Sequence, residues 1–440
     1  MSAMSMDSRW RLHCSNCAAS YPSDPKQYRL HCDRCGPASL LVARPWILPR
    51  LPSRVKRLAD WSEWLCVQPV CPDHAAEVAL LRSDELSEEL GLPELQLLVS
   101  GDAAENGATL TSGSFKEFEA IGTLSRFHAL GGPFPVIASA GNSALAALEI
   151  GSRYRLPAVL VVPEGVAMDS RSPAGAIQPL VIRLRQGGYA DAKTFAADLV
   201  RHGGGRLLAD GGYRNVARRQ GLALPFLSAI RQLGRIPDVY VQAVGSGCGA
   251  LAVLEASRLL IASGLGHGPP RLLLVQNHPY APIAEAYAAG GDELPAWDPA
   301  ERSARIRAIS ARVLSSADIP YHQPGGLRQA LLQTNGLVMA VTNRQIAQAQ
   351  RLLLRCLNLR VCEASGAALA GLALAIAESR LHGNAHILLH LTGTRSSGQA
   401  GAVRRHSAPI LELPADRLQE ALPLVLRYAE RTQTPELNVS

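Results

Sequence analysis

A chain of 440 residues has room for two lobes and an appendage, and with 47% hydrophobic and 18% charged residues it can bury a large core. The net charge of +7 sets 44 Lys and Arg against 37 Asp and Glu, spread along the chain without aromatic-interleaved basic runs; this argues against nucleic acid and suits a small anionic substrate. No apolar run reaches the about 18 residues of a membrane helix, and the opening MSAMSMDSRWRLHCSN lacks a signal peptide's apolar stretch, so a cytoplasmic protein is expected.

The first pattern is Cys14-Ser-Asn-Cys17 and Cys32-Asp-Arg-Cys35, two pairs separated by fourteen residues. In a reducing compartment such pairs are not disulfides. As two knuckles they can present four thiolates to one structural zinc ion, so residues 1–45 are expected to form a zinc-ribbon-like segment. Cys66, Cys71 and His74 form a looser set, and these, like Cys356 and Cys362, read as packing residues. A connector with Pro45, Pro49 and Pro52 follows, and then an acidic helix in SDELSEEL (83–90).

Beyond about residue 100, strands and helices alternate. PVIASA (135–140) reads as a buried strand, Gly141-Asn142 as a turn and SALAALEIGSRY (143–154) as a helix. AVLVVPEG (158–165) is the next strand; DVYVQAVGSG (238–247) is strand and loop, leading into the helix GALAVLEASRLLIA (249–262). RLLLVQN (271–277) and HILLHLTG (386–393) are further short apolar strands. Such alternation predicts an α/β fold of parallel sheets covered on both faces. Residues 46–440 would form one catalytic core of two interleaved lobes, the smaller spanning approximately 115–205.

Three constellations in this alternation carry chemistry. In Thr111-Ser112-Gly113-Ser114-Phe115-Lys116-Glu117, a lysine among small residues at the start of a helix can be desolvated and held near the positive helix end. Both effects favour the neutral amine that forms a Schiff base. Ser139-Ala140-Gly141-Asn142-Ser143 joins a strand to a helix and offers hydroxyls, an amide and free N–H groups suited to a carboxylate, although an ordinary turn and N-cap would look the same. Gly245-Ser246-Gly247-Cys248-Gly249 repeats the arrangement with glycines that let the backbone wrap a phosphate. It lacks the Lys-Ser/Thr ending of a nucleotide P-loop, and no dinucleotide fingerprint is evident.

The order of these motifs, followed by a late strand ending Leu391-Thr392-Gly393, resembles fold-type II pyridoxal-phosphate enzymes, the tryptophan synthase β-like class. A four-cysteine ribbon before such a core looks like the threonine synthase branch. Within it, SFKEFEA (114–120), ASAGNS (138–143), GGYRNVARRQG (211–221) with the run on to residue 256, QNHPYAPI (276–283) and VLSSADIPYHQPGGL (313–327) resemble the cysteate synthases of methanogen coenzyme M biosynthesis.

The resemblance implies that Lys116 carries pyridoxal 5'-phosphate as an imine and later moves the substrate α-proton. Asn142 would bond the cofactor's phenolic oxygen, Gly245, Ser246, Gly247, Cys248 and Gly249 its phosphate, and Thr392 would face the pyridine nitrogen. A neutral hydroxyl there favours elimination and replacement over transamination. Ser139, Gly141 and Ser143 would hold the substrate carboxylate. Arg218 and Arg219, with Arg214 beside them, are candidates for a second anion, although surface or interface ion pairing is an equal reading. His278 reads as structural.

The implied reaction is β-replacement on O-phospho-L-serine, with sulfite giving L-cysteate and phosphate through an aminoacrylate. The implied assembly is a homodimer. Threonine synthase chemistry on O-phosphohomoserine, synthesis of another β-substituted alanine and a non-catalytic binding protein of the same fold stay open at this point. Three features depart from the pattern. Glu117 stands where threonine synthases usually carry aspartate. Ser100–Gly107 replaces a bulkier aromatic segment, and Thr394-Arg395-Ser396-Ser397 replaces a glycine-rich ending. The last two are expected to border the active site.

Overall fold

Near-continuous apolar strands such as Val239–Ala243 (VYVQA) and Ile387–Leu391 (ILLHL) cannot leave either face to water, so helices must cover both. The computed structural model, which describes residues 9–395 and 406–433 except 25, 76, 133, 167, 171–177, 209–211, 317 and 408–409, shows this arrangement twice.

The larger sheet has six strands in the order Leu337–Val341, Arg271–Asn277, Val239–Ala243, Ile387–Leu391, Leu95–Val99 and Ala79–Leu81. Every neighbouring pair is parallel except the last. Because side chains alternate across a strand, its residues divide between two cores. Val239, Val241, Leu273 and Val275 pack with the helices Asn343–Leu357 and Glu363–Ala377. Tyr240, Leu272, Leu274 and Leu388 pack with Val216–Leu233 and Cys248–Ala262 on the other side.

The smaller sheet is wholly parallel, in the order Arg206–Leu207, Pro135–Ala138, Val159–Pro163, Leu180–Arg185 and Ile410–Pro414. Its last strand lies far outside the 115–205 range expected for this lobe. Ile410–Pro414 pairs with Leu180–Arg185 and becomes the edge strand of the sheet in its place. The helix that follows, Leu418–Gln433, buries Ala421 and Val425 in the same core as Val136 and Leu199. The smaller lobe therefore recruits the C-terminal part of the chain.

The N-terminal segment is a three-stranded antiparallel sheet, Ser20–Pro22, Trp10–Cys14 and Leu41–Pro45. It is fixed to the core by arginines that donate to its carbonyls: Arg126 to Asp24 and Gln27, Arg214 to Pro37, and Arg219 to Leu41.

A buried polar chain runs through the larger lobe. The His390 ring bonds the Ser100 hydroxyl at 2.7 Å and the Tyr240 hydroxyl at 2.6 Å, with the Phe115 ring edge-on to it. Burial holds the imidazole neutral, down at about 3 from 6.5. Between these values the unfolded chain binds the extra proton, so this contribution to stability is complete above about pH 6.5 and is lost as pH falls toward 3. Urea titrations should show stability falling by up to about 1.4 kcal/mol per pH unit in that window. His390→Asn should flatten that slope, and an unchanged slope would assign the acid sensitivity to other groups.

Candidate active site

Three strands of the two sheets end facing one another, the usual place for a ligand in open α/β sheets. The strand Pro135–Ala138 leads into Ser139–Ser143, Val239–Ala243 into Gly245–Gly249, and Ile387–Leu391 into Thr392. Around them lies a cavity of about 150 Å³, lined by these segments with Phe115, Lys116, Tyr189, Arg218, Gln242 and the stretch Arg312–Ser316.

Lys116 is the first residue of the helix Lys116–Leu130. The loop before it is anchored on both sides. Phe115 N–H donates to the Thr392 carbonyl at 3.0 Å and Thr394 N–H to the Gly113 carbonyl at 3.0 Å. Glu117 is fully buried and turns back on this loop, accepting from Ser112 N–H at 2.6 Å and from the Thr111 hydroxyl. His74 Nε2 lies 3.1 Å from the same carboxylate, and its Nδ1 lies 2.7 Å from the Tyr154 hydroxyl. Glutamate in place of aspartate thus gives the reach to brace the loop that carries Lys116.

The Ser139 hydroxyl accepts from Ala144 N–H at 3.2 Å, capping the helix Asn142–Tyr154, and its own hydrogen stays available to a ligand. Ser143 is different. Its single hydrogen goes to Glu119 at 2.6 Å, so it cannot also donate to a carboxylate. Anion binding at this loop therefore falls to Ser139 and to the backbone N–H groups of Asn142 and Ser143, which open the helix ahead of its own hydrogen-bond ladder.

The glycine loop is shaped by close approach. Gly247 has φ +74°, and a Cβ there would meet Leu327 Cδ1 at 2.3 Å. At Gly249 a Cβ would meet the Gln242 side chain at 2.7 Å, and at Gly245 the Leu314 carbonyl oxygen at 3.2 Å. Residues with side chains would close the cradle in front of the N-terminus of the helix Cys248–Ala262. A lysine amine, an amide side chain, a neutral hydroxyl and a glycine-lined helix N-terminus converging on one cavity fit pyridoxal phosphate. The buried Gln242 Oε1, which has no partner among the described residues, adds a free acceptor to the same wall.

Residues 73–393 match the family described as pyridoxal-phosphate dependent enzyme. Cysteate synthase from Methanocorpusculum labreanum is 37% identical over 76% of this chain and 81% of its own. The protein of that name from Methanoregula boonei is 40% identical over 71% and 73%. The chain belongs to the cysteate synthase family of pyridoxal-phosphate-dependent enzymes. Its fold is also that of a solved threonine deaminase isoform 2 from Solanum lycopersicum, with TM-score 0.55 and 18% identity over 80% of this chain and 96% of the other.

Within this family member, the described structure brings Lys116, Ser139, Gly141, Asn142, Ser143, Arg218, Gly245, Ser246, Gly247, Cys248, Gly249 and Thr392 to one cavity. It does not bring Arg219. That side chain is fully buried, pairs with Glu255 at 3.0 Å and donates to the carbonyls of Tyr213 and Leu41. Arg214 likewise faces Pro37 and Tyr213. His278 is exposed and is not among the lining residues.

Among the described residues, neither departing segment lines the cavity; Gly101 and Asp102 of the first pack on Thr394 of the second. Asp102 N–H donates to the Thr394 hydroxyl at 2.7 Å, that hydroxyl donates back to the Asp102 carbonyl at 3.0 Å, and only glycine fits at 101 against Thr394. The two departures are thus one coupled change. Ser396 and Ser397 lie outside the described residues, as does Gly211 of the GGYRNVARRQG stretch.

Two charged residues enter the site without having been expected. Glu119 is buried on the lysine helix and receives Lys116 Nζ on one oxygen, and Ser143 and Arg218 on the other. Arg312 is exposed at the cavity's edge and forms no ion pair among the described residues.

Remote from the cavity, the Sγ atoms of Cys14, Cys17, Cys32 and Cys35 lie within 4.8 Å of one another. A tetrahedral zinc with bonds of about 2.3 Å spaces its sulfurs by about 3.8 Å, so the set fits the ion. Burial pushes the Cys32 thiol up, but the Tyr21 hydroxyl and the N–H groups of Cys35 and Arg34 outweigh it and hold the thiol at about 6. No described helix is long and apolar enough to cross a membrane.

Proposed function

We propose that the chain catalyses β-replacement on O-phospho-L-serine, releasing phosphate and adding sulfite to give L-cysteate. The observation that carries this reading is the single cavity in which Lys116, the 139–143 loop and the 245–249 loop meet, in a chain of the cysteate synthase family. Bound pyridoxal phosphate would supply the electron sink for loss of the substrate's α-proton.

This chain's residues do the rest. Lys116 would hold the cofactor covalently, and its Nζ would take the substrate α-proton. Gly245–Gly249 would bind the cofactor phosphate and Asn142 its phenolic oxygen, and Thr392 would offer a neutral hydroxyl to its ring nitrogen. Ser139 and the N–H groups of Gly141–Ser143 hold the substrate carboxylate.

The second anion needs a separate partner. Arg218 is already matched by Glu119, which leaves Arg312 at the edge as the uncompensated cation. A charge-assisted bond of about 1.5–3 kcal/mol to the leaving phosphate makes Arg312→Ala raise the KM for phosphoserine about 10- to 100-fold. O-acetylserine, whose acetyl ester carries no charge in the bound substrate, should be a poor substrate and nearly indifferent to that change. The test is product mass after incubation with phosphoserine and sulfite. Cysteate with release of phosphate is expected, and conversion of phosphohomoserine to threonine instead would replace this reading.

The four-cysteine set is proposed to hold a structural zinc ion in a closed site. Elemental analysis should give about one zinc per chain, lost in Cys32→Ser. A stoichiometry near zero in chelator-free wild-type protein would make the knuckle metal-free. A two-fold dimer, the commonest closed assembly, is proposed for the whole enzyme.

A further inference from the structure

We propose that Glu119 is a positioning residue acting through Lys116: its buried carboxylate is the counter-charge that lets Lys116 and Arg218 share one cavity, and it sets how tightly Nζ holds a proton. The proposal rests on the reading of Lys116 as the cofactor lysine.

Glu119 sits one helical turn beyond Lys116 and is 3% exposed. One oxygen takes Lys116 Nζ; the other takes the Ser143 hydroxyl at 2.6 Å and Arg218 Nη2 at 2.5 Å. Without this carboxylate the described residues of the site would hold three cations, Lys116, Arg218 and Arg312, and no anion. Lys116 also lies at the positive end of its own helix, and both influences drive the proton off Nζ. A lysine that must take an α-proton needs the opposite bias, and Glu119 supplies it.

The carboxylate can do so at any working pH. Burial raises it, but Arg218 and Lys116 outweigh burial and hold it at about 2. The other titratable groups lining the cavity are Cys248, on the helix Cys248–Ala262, and Tyr189, on the helix Tyr189–Gly203; burial raises both and keeps them neutral. Arg312 adds positive charge from the larger lobe. Glu117 spends its carboxylate on Ser112, Thr111 and His74.

The test is the pH titration of cofactor absorbance in cofactor-loaded wild type and Glu119→Gln, which keeps the shape and removes the charge. The midpoint for the proton on the lysine–cofactor linkage should fall by about one to three units in the variant. A midpoint that is unchanged or higher overturns the role of Glu119. Should Glu119→Gln take up no cofactor, the same comparison is made on cofactor-free proteins, as the pH dependence of Lys116 acetylation by acetic anhydride read by peptide mass. A lower midpoint supports the proposal, and an equal one overturns it. Failure of the wild type itself to take up pyridoxal phosphate is a separate result, which removes the cofactor reading.

Discussion

Lys116→Ala should lower cysteate formation by about 10⁴-fold or more while the protein still takes up pyridoxal phosphate without a covalent bond. The loss is large because one side chain has two duties. Removal of a positioned acid/base alone costs about 10²–10⁴-fold, and loss of the nucleophilic amine adds to it. Uptake persists because the cofactor's phosphate is held elsewhere, at the glycine loop and the N-terminus of Cys248–Ala262. The assignment can be checked unusually cleanly, since the chain has only four lysines: Lys26, Lys56, Lys116 and Lys193. Of these, Lys116 alone lines the active-site cavity, and Lys193 lines a smaller chamber that shares Ser139, Ser143, Tyr189 and Arg218 with it. Borohydride reduction followed by peptide mapping should place the pyridoxyl group on Lys116. Finding it on Lys193 would move the chemistry into that side chamber and overturn the site.

The strand–loop–helix units were legible because each part is local. An apolar run, a glycine turn and a helical period follow one another within about 25 residues, and backbone N–H groups at a helix start need no distant partner. What escaped the sequence is the pairing of charges across long separations. Glu119 reads as an ordinary acid in a first helical turn, favourable to the dipole. Its partners stand at 143 and 218, brought to it only by the packing of three helices. The strand Ile410–Pro414 escaped for a similar reason, since its partner Leu180–Arg185 lies more than two hundred residues away. Arg218 and Arg219 look like twins in sequence, but successive helical residues point about 100° apart. One therefore meets the cavity and the other meets the ribbon.

That divergence makes Arg219→Ala chiefly a stability variant. The wild-type guanidinium satisfies three groups at once: the Glu255 carboxylate at 3.0 Å and the carbonyls of Tyr213 and Leu41. Truncation leaves all three with a lost partner at a place where the guanidinium itself was fully buried. Breaking one side of such a pair costs about 3–5 kcal/mol. Burial already raises Glu255 even with Arg219 beside it, so without the arginine the carboxyl should take up a proton rather than stay charged. Because Leu41 belongs to the ribbon strand Leu41–Pro45, hydrogen exchange should quicken there and in its neighbour Trp10–Cys14. The double variant Arg219→Met with Glu255→Leu should recover much of the loss, since apolar residues of similar volume leave no orphaned charge. Phosphoserine turnover per folded molecule should stay within about threefold of wild type in both variants, because no atom of Arg219 lines the cavity. A variant with wild-type stability and a raised KM for phosphoserine would return Arg219 to the substrate site.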